Sequence, residues 1–259
     1  MLHLPPLSAR TRTIAALLAI LGLLLIAATV PFWIWSLDLA IQQLFFDPLP
    51  SGEGSPWLGK RNALCRWLYE YGTLPAYVVG FGSLGVCVAS FAVPGWRRWR
   101  RLTAYLALCL AVGPGLIVNA VLKEHWGRPR PRNVEVFGGK QTHEKVWMHD
   151  AASGGSSFPS GHAAAGFYFL AAVPLCWRRP RRAALAAGLG LGFGTLIGVS
   201  RMAQGAHFAS DVLWSAGVCA LTSVALYFAL GLDRHPPWGP ASRPAPAPTG
   251  SALGARSPT

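Results

Sequence analysis

Six stretches of this chain carry no Asp, Glu, Lys or Arg and are dominated by apolar side chains, so each must be hidden from water. They run over Ile14–Trp35, Thr73–Val93, Leu102–Leu122, His162–Trp177, Ala183–Val199 and Val212–Leu232. A run of about 20 such residues crosses the hydrocarbon of a bilayer as a helix, whose backbone groups satisfy one another without water. Of the 259 residues 52% are hydrophobic and 13% charged, where a soluble domain carries about 25% charged residues. The predicted fold is therefore all-α, an integral membrane bundle of six transmembrane helices spanning residues 14–232. The fourth and fifth stretches are short and rich in Ala and Gly. On their own they would also suit buried helices of a soluble protein.

Residues 1–13 then form a short cytoplasmic N-terminus. Residues 233–259, rich in Pro, Ala, Ser and Gly, form a cytoplasmic tail with too few large apolar residues to pack, and so are expected to be disordered. The first stretch follows Arg10 and Arg12 but is longer than the apolar core of a signal peptide, and reads as a retained anchor. With six alternating spans, one side collects 13 Lys/Arg and a single acid, Asp233, and the other side 10 Lys/Arg and nine acids. The excess of positive charge places the first side, with both termini, in the cytoplasm. Tryptophans such as Trp33, Trp35, Trp96, Trp99 and Trp177 fall near span ends, where interfacial belts form.

The net charge of +13 sits in short clusters between apolar runs, a pattern of membrane orientation rather than of a nucleic-acid-binding face. Of the five cysteines, Cys87, Cys109, Cys176 and Cys219 lie within apolar runs and Cys65 in a loop. Their spacing predicts neither a disulfide framework nor a zinc site. The Ala-, Gly- and Trp-rich spans with short loops suit a bacterial inner membrane. The sequence carries no mark of an oligomeric state.

Two loops on the outer side hold the reactive side chains. In Ser200-Arg201-x5-His207-x3-Asp211, His207 and Asp211 are four residues apart and would face each other across one helical turn. A carboxylate on one ring nitrogen leaves the other basic and aimed outward, as a nucleophilic imidazole requires. A plainer reading makes Asp211 a helix cap with a bystander histidine. Phe158-Pro159-Ser160-Gly161-His162 leads straight into an apolar helix, whose free N–H groups and the Ser160 hydroxyl suit an anion. Gly161 would let the backbone approach a bound oxygen, and His162 would stand close enough to protonate a leaving group. The plainer alternative is an ordinary serine cap. Lys123 ends the third stretch, and Pro129 and Pro131 break the helix so that Lys123 and Arg130 can converge on phosphate oxygens. Otherwise they are a snorkelling lysine and a solvated basic loop.

Taken together and in this order, Lys123-x6-Arg130-Pro131, Pro159-Ser160-Gly161-His162 and Ser200-Arg201-x5-His207-x3-Asp211 resemble the three signature motifs of the type-2 phosphatidic acid phosphatase family. Vanadium-dependent haloperoxidases share that anion site. The resemblance implies that His207 is a nucleophile forming a phosphohistidine and oriented by Asp211, and that His162 protonates the leaving group. Lys123, Arg130, Ser160, Gly161 and Arg201 would cradle the phosphoryl oxygens. Fixed cations and dipoles can hold that charge without a metal or another cofactor. His125, His143 and His149 are too irregularly spaced for a metal set. Asn119 stands one turn before Lys123 and suits helix packing, while Arg128 and Arg132 suit a solvated loop near a polyanionic head group.

An outward site at the membrane interface implies a lipid phosphomonoester or pyrophosphate: undecaprenyl pyrophosphate, phosphatidylglycerol phosphate, phosphatidic acid or a lipid A phosphate. Two other readings stay open. The phosphohistidine could pass its phosphoryl group to another lipid. The motif residues could instead bind anions in a transporter or a membrane scaffold.

Overall fold

A computed structural model describes residues 8–48, 54–150 and 154–234 of the protein. The predicted tail thus lies, beyond Arg234, outside the described residues, as does the extreme N-terminus. Among the described residues the secondary structure is helical, with isolated β-bridges in place of strands.

Helix α1 (Ala9–Ile34) is capped by Ser8, whose hydroxyl accepts from the Thr11 N–H at 3.1 Å. It ends where Ser36 turns into the left-handed region at φ 50°. A short helix, α2 (Leu37–Gln43), follows. After α3 (Leu58–Arg61) comes α4 (Ala63–Tyr71), capped by the Asn62 side chain on Cys65 N. It leads into α5 (Leu74–Ala92). The chain returns through a 3-10 turn and α6 (Arg100–Leu110), which widens into a π-helix over Ala111–Leu122 and closes as α7 (Lys123–His125). Pro114 sits in the widened stretch, where the looser winding accommodates a residue without an N–H. Helix α8 (Gly161–Phe167) continues through a 3-10 turn into α9 (Ala172–Cys176), and α10 (Pro180–Ala203) and α11 (Ala209–Ala229) complete the bundle.

Five helical stretches are long and apolar enough to cross a membrane: Ala9–Ile34, Ala63–Ala92, Pro94–His125, Pro180–Ala203 and Ala209–Ala229. Large apolar side chains point outward from them, with Leu23, Phe81 and Leu189 each 64% exposed. That arrangement is untenable in water and natural in lipid. The fourth predicted span differs. Gly161–Cys176 is shorter than the others, about 24 Å at 1.5 Å per residue. Its residues 163–168, 170 and 171 are buried in protein. It is therefore the core of the bundle, which explains its short, Ala-rich composition. Glycines permit close packing there: a Cβ on Gly166 would lie 2.8 Å from the Cα of Gly194 on α10. Deeper in the bundle the buried Tyr105 hydroxyl donates to the carbonyls of Ala171, at 2.8 Å, and Ser223, at 3.3 Å. It thereby ties α6 to both the central helix and α11.

The long loop after α7 folds back on itself. Gly155 N donates to Gly127 O at 3.0 Å and Ser157 N to Arg128 O at 2.9 Å, while the Trp126 indole donates to Val146 O at 3.0 Å. These bonds set the start of the loop beside the residues preceding α8. Arg132 N also donates to Gly205 O at 3.1 Å, joining the loop to the turn between α10 and α11.

Candidate active site

The turn between α10 and α11 carries His207. Gly205 permits it, at φ 66° and with its Cα face against the Trp57 ring. His207 is buried, and its Nδ1 lies 2.6 Å from the carbonyl oxygen of Ser157. A carbonyl can only accept, so Nδ1 carries the proton and Nε2 holds the free lone pair. Burial, then the charges of Arg201, Lys123 and Arg130, hold the imidazole well below its usual range, against the Ser157 bond. The ring is therefore neutral, with a free lone pair at Nε2.

This corrects the expected contact between His207 and Asp211. The Asp211 carboxylate is 3.9 Å from Nδ1, beyond hydrogen-bonding distance. The reason is local: α11 begins at Ala209, so His207 precedes the helix and the four-residue spacing brings the side chains close without a direct hydrogen bond. Asp211 instead turns back onto its own helix start, accepting from Phe208 N at 2.8 Å. It also accepts from the Ser157 hydroxyl at 2.6 Å. Asp211 thus reaches His207 through Ser157, whose backbone carbonyl holds the ring.

Behind Asp211 lies a buried ionic cluster that the sequence did not reveal. Arg128, fully buried, pairs with Asp211 at 2.5 Å and with Asp38 of α2 at 2.7 Å. It also donates to Ser210 Oγ at 2.8 Å and to Glu144 O at 3.0 Å, and stacks 4.6 Å over the Phe208 ring. Burial alone would lower the guanidinium's pKa, but the two carboxylates hold it above its ordinary value. Arg128 therefore belongs to the protein interior and not to a solvated loop, as a cation at zero exposure must be fully partnered. Asp38 was legible only as an acid just past the first span. Arg128 was legible only as a neighbour of the motif arginine.

The other cations that act on His207 are arranged differently. Lys123, Arg130 and Arg201 all act electrostatically on His207, and the same three act on His162. Among the described residues none of the three forms an ion pair. Arg130 donates to Ser156 Oγ at 2.9 Å, and burial followed by the charge of Arg132 lowers its pKa. Arg201 is 7% exposed, bonds Gln204 Oε1 and lies 4.4 Å over the Tyr69 ring. Its Nε is buried with no hydrogen-bond partner. A buried, unsatisfied guanidinium N–H beside two more unpaired cations fits an anion.

His162 opens α8 and stacks on Tyr69 with centroids 5.1 Å apart at 24°. Ser160 is the buried N-cap, its hydroxyl accepting from Ala163 N at 3.4 Å. At Gly161 a Cβ would collide with the side-chain amide of Asn119, so the glycine makes room for a neighbouring side chain. Asn119 is itself fixed, donating to Pro114 O at 2.7 Å across the π-helix. It was weighed in the sequence as a packing residue, and its contact with Gly161 is visible only in three dimensions. His125, His143 and His149 stand apart, on Val121 O, the Phe208 ring and the Trp126 ring respectively. Among the described residues no cluster of His, Cys, Asp and Glu has the geometry of a metal site.

An apolar cavity of about 440 Å³ runs between α5 and α6, lined by Tyr77, Phe81, Leu84 and Leu108, and reaches Asn119 and Gly161. It brings a lipid-like surface to the edge of the charged site.

Residues 104–232 match the family model of the PAP2 superfamily, a segment that holds every motif residue from Lys123 to Asp211. Over 139 residues the chain is 38% identical to the lipid A 4'-phosphatase of Francisella tularensis subsp. novicida, covering 51% of this chain and 60% of that protein. It is 42% identical over 115 residues to the lipid A 4'-phosphatase of Rhizobium leguminosarum, covering 40% of this chain and 44% of that protein. The Rhizobium etli lipid A 4'-phosphatase is 40% identical over 120 residues, covering 45% and 44%. The chain thus spans about half the length of the curated relatives it matches, 60% at most. No solved structure matches it.

Proposed function

Since residues 104–232 belong to the PAP2 superfamily, we propose that the protein is a membrane phosphatase acting on a lipid phosphomonoester or pyrophosphate. The observation that carries this reading is that Lys123, Arg130 and Arg201, none of them in an ion pair among the described residues, all act electrostatically on both His207 and His162. A phosphate supplies the missing negative charge and the acceptor for Arg201 Nε.

In this mechanism the lone pair on His207 Nε2 attacks phosphorus while Ser157 O retains the Nδ1 proton. The bond from phosphorus to the lipid oxygen breaks, and His162 gives that oxygen a proton. Substrate charge offsets the cations around His162, which lets it hold the proton before transfer. Water then attacks the phosphohistidine, His162 takes a proton from it, and inorganic phosphate leaves. Lys123, Arg130 and Arg201 hold the equatorial oxygens, each such donor contributing about 3–4 kcal/mol to the transition state. Ser160 and Gly161 complete the cradle for the phosphoryl oxygens at the start of α8, where Gly161 also makes room for Asn119. Asp211 orients His207 by way of Ser157.

Residues 14–232 form the working unit, with Gly161–Cys176 as the central sixth span, both termini cytoplasmic and the site facing the periplasm of a bacterial inner membrane. The apolar cavity beside Gly161 suits a lipid chain. Among phosphate lipids, the names of the relatives make lipid A 4'-phosphate the first candidate, ahead of undecaprenyl pyrophosphate, phosphatidylglycerol phosphate and phosphatidic acid. The test is phosphate release from each lipid by the purified protein in detergent, with EDTA present and no acceptor lipid. Release from at least one is expected. No release from any lipid, or release that needs a second lipid, overturns hydrolysis.

A further inference from the structure

His207 stands on a short turn between the end of α10 and the start of α11, and α2 touches both sides of that turn. Asp38 accepts from Ser210 N at 2.9 Å and from Ser210 Oγ at 2.5 Å, in the first turn of α11. Gln42, one turn further along α2 and fully buried, donates its Nε2 to Met202 O at 2.7 Å, in the last turn of α10. An acid at a helix start and an amide donor at a helix end match the free N–H and C=O groups there. Asp38 also holds Arg128, which holds Asp211. Asp211 in turn accepts from Ser157, whose carbonyl fixes His207 Nδ1.

We propose that α2 is a clamp, and that Asp38 and Gln42 are positioning residues for His207. The proposal rests on the phosphatase reading above and goes beyond it, because both residues lie outside the matched segment 104–232. The clamp acts on charge as well as on position. When Nε2 bonds phosphorus and Nδ1 keeps its proton, the ring becomes a cation. Arg201 from α10, Lys123 from α7 and Arg130 from the loop face the ring and oppose that charge. The Asp38–Arg128–Asp211 cluster carries one net negative charge and favours it. Neutralising Asp38 removes that excess while preserving the side chain's shape.

The test compares wild type, Asp38→Asn and Gln42→Leu as full chains in detergent micelles, with lipid A and phosphatidic acid as substrates. Asp38→Asn is expected to lower kcat about 10- to 100-fold, the scale typical of residues that orient an active-site ligand. KM and inhibition by orthovanadate should change little, because the three cations are untouched. The acid limb of kcat should move to lower pH, since the lost negative charge makes His207 harder to protonate. Gln42→Leu should lower kcat less and leave the limb in place, having changed no charge. A merely structural role would reduce the folded fraction without moving the limb. Folded Asp38→Asn protein with unchanged kcat, or with an unmoved limb, overturns the clamp.

A second measurement needs no turnover. In 15N-histidine-labelled protein, the His207 Nδ1–H, assigned by its loss in His207→Ala, should be sharp in wild type and exchange-broadened in Asp38→Asn. Equal signals in both overturn the clamp. An inactive wild type overturns the phosphatase reading instead.

Discussion

Two buried arginines flank the candidate site in different company, and they are partnered in opposite ways. Arg128 meets two carboxylates, a serine hydroxyl and a backbone carbonyl. Arg201 meets a glutamine and an aromatic ring and, among the described residues, has no carboxylate and no partner for Nε. Removing a guanidinium from water costs several kcal/mol, which only close opposite charge or hydrogen bonds offset. Arg128 is balanced within the fold. Arg201 has no such counter-charge among the described residues. The difference separates a cation balanced within the fold from one that is not.

The largest expected effect tests His207 itself. His207→Ala should cut phosphate release by about 10⁴-fold or more, as loss of a nucleophile does elsewhere, with the melting temperature nearly intact. Next, Arg128→Ala should destabilise the fold by about 3–5 kcal/mol, because it strands the carboxylates of Asp38 and Asp211. Chemical denaturation in detergent reads this directly. Arg201→Ala should instead lower kcat/KM by about 10²- to 10³-fold, the cost of one oxyanion donor, and leave stability unchanged or raised. If Arg201→Ala destabilises as strongly as Arg128→Ala, the contrast between the two arginines collapses.

A smaller effect concerns the packing beneath His162. Gly161→Ala should cost about 1–3 kcal/mol through overpacking, and Asn119→Ala in the same chain should recover part of that loss. Failure of the double variant to recover would remove the steric account of Gly161. The smallest effect is a pH dependence. Burial, then the nearby Arg128, lowers His143 from 6.5 to about 4. The folded state therefore keeps His143 neutral where the unfolded chain binds a proton. Its contribution is complete above pH 6.5 and is lost as pH falls towards about 4. Melting temperature should decline across that window, and His143→Gln should flatten the decline.

The sequence displayed what repeats or what is chemically unusual. Apolar runs marked the long helices within a few residues, as Pro180–Ala203 against the expected Ala183–Val199 illustrates. The three motifs marked the cations and histidines that the structure gathers. What stayed hidden depended on contacts between distant residues. Asp38 and Arg128 are 90 positions apart, and nothing in either local sequence signals the pairing. His207 and Asp211 were misread because their spacing implies a bond only if a helix includes both, and α11 starts two residues after His207. The contact of Gly161 with Asn119 stayed hidden because the two come from different helices. The fourth span was shorter than a bilayer requires because it is enclosed by protein, a property that composition suggests only through its alanines.

Tyr69 adds a last consequence. Its ring stacks on His162 and lies beneath Arg201, so α4 supplies one wall of the site while α8 and α10 supply the reactive groups. That wall comes from chain upstream of the stretch shared with the PAP2 superfamily. The surroundings of His162 and Arg201 are thus built in part by chain outside the matched stretch, so two proteins alike over residues 104–232 could still differ at that wall.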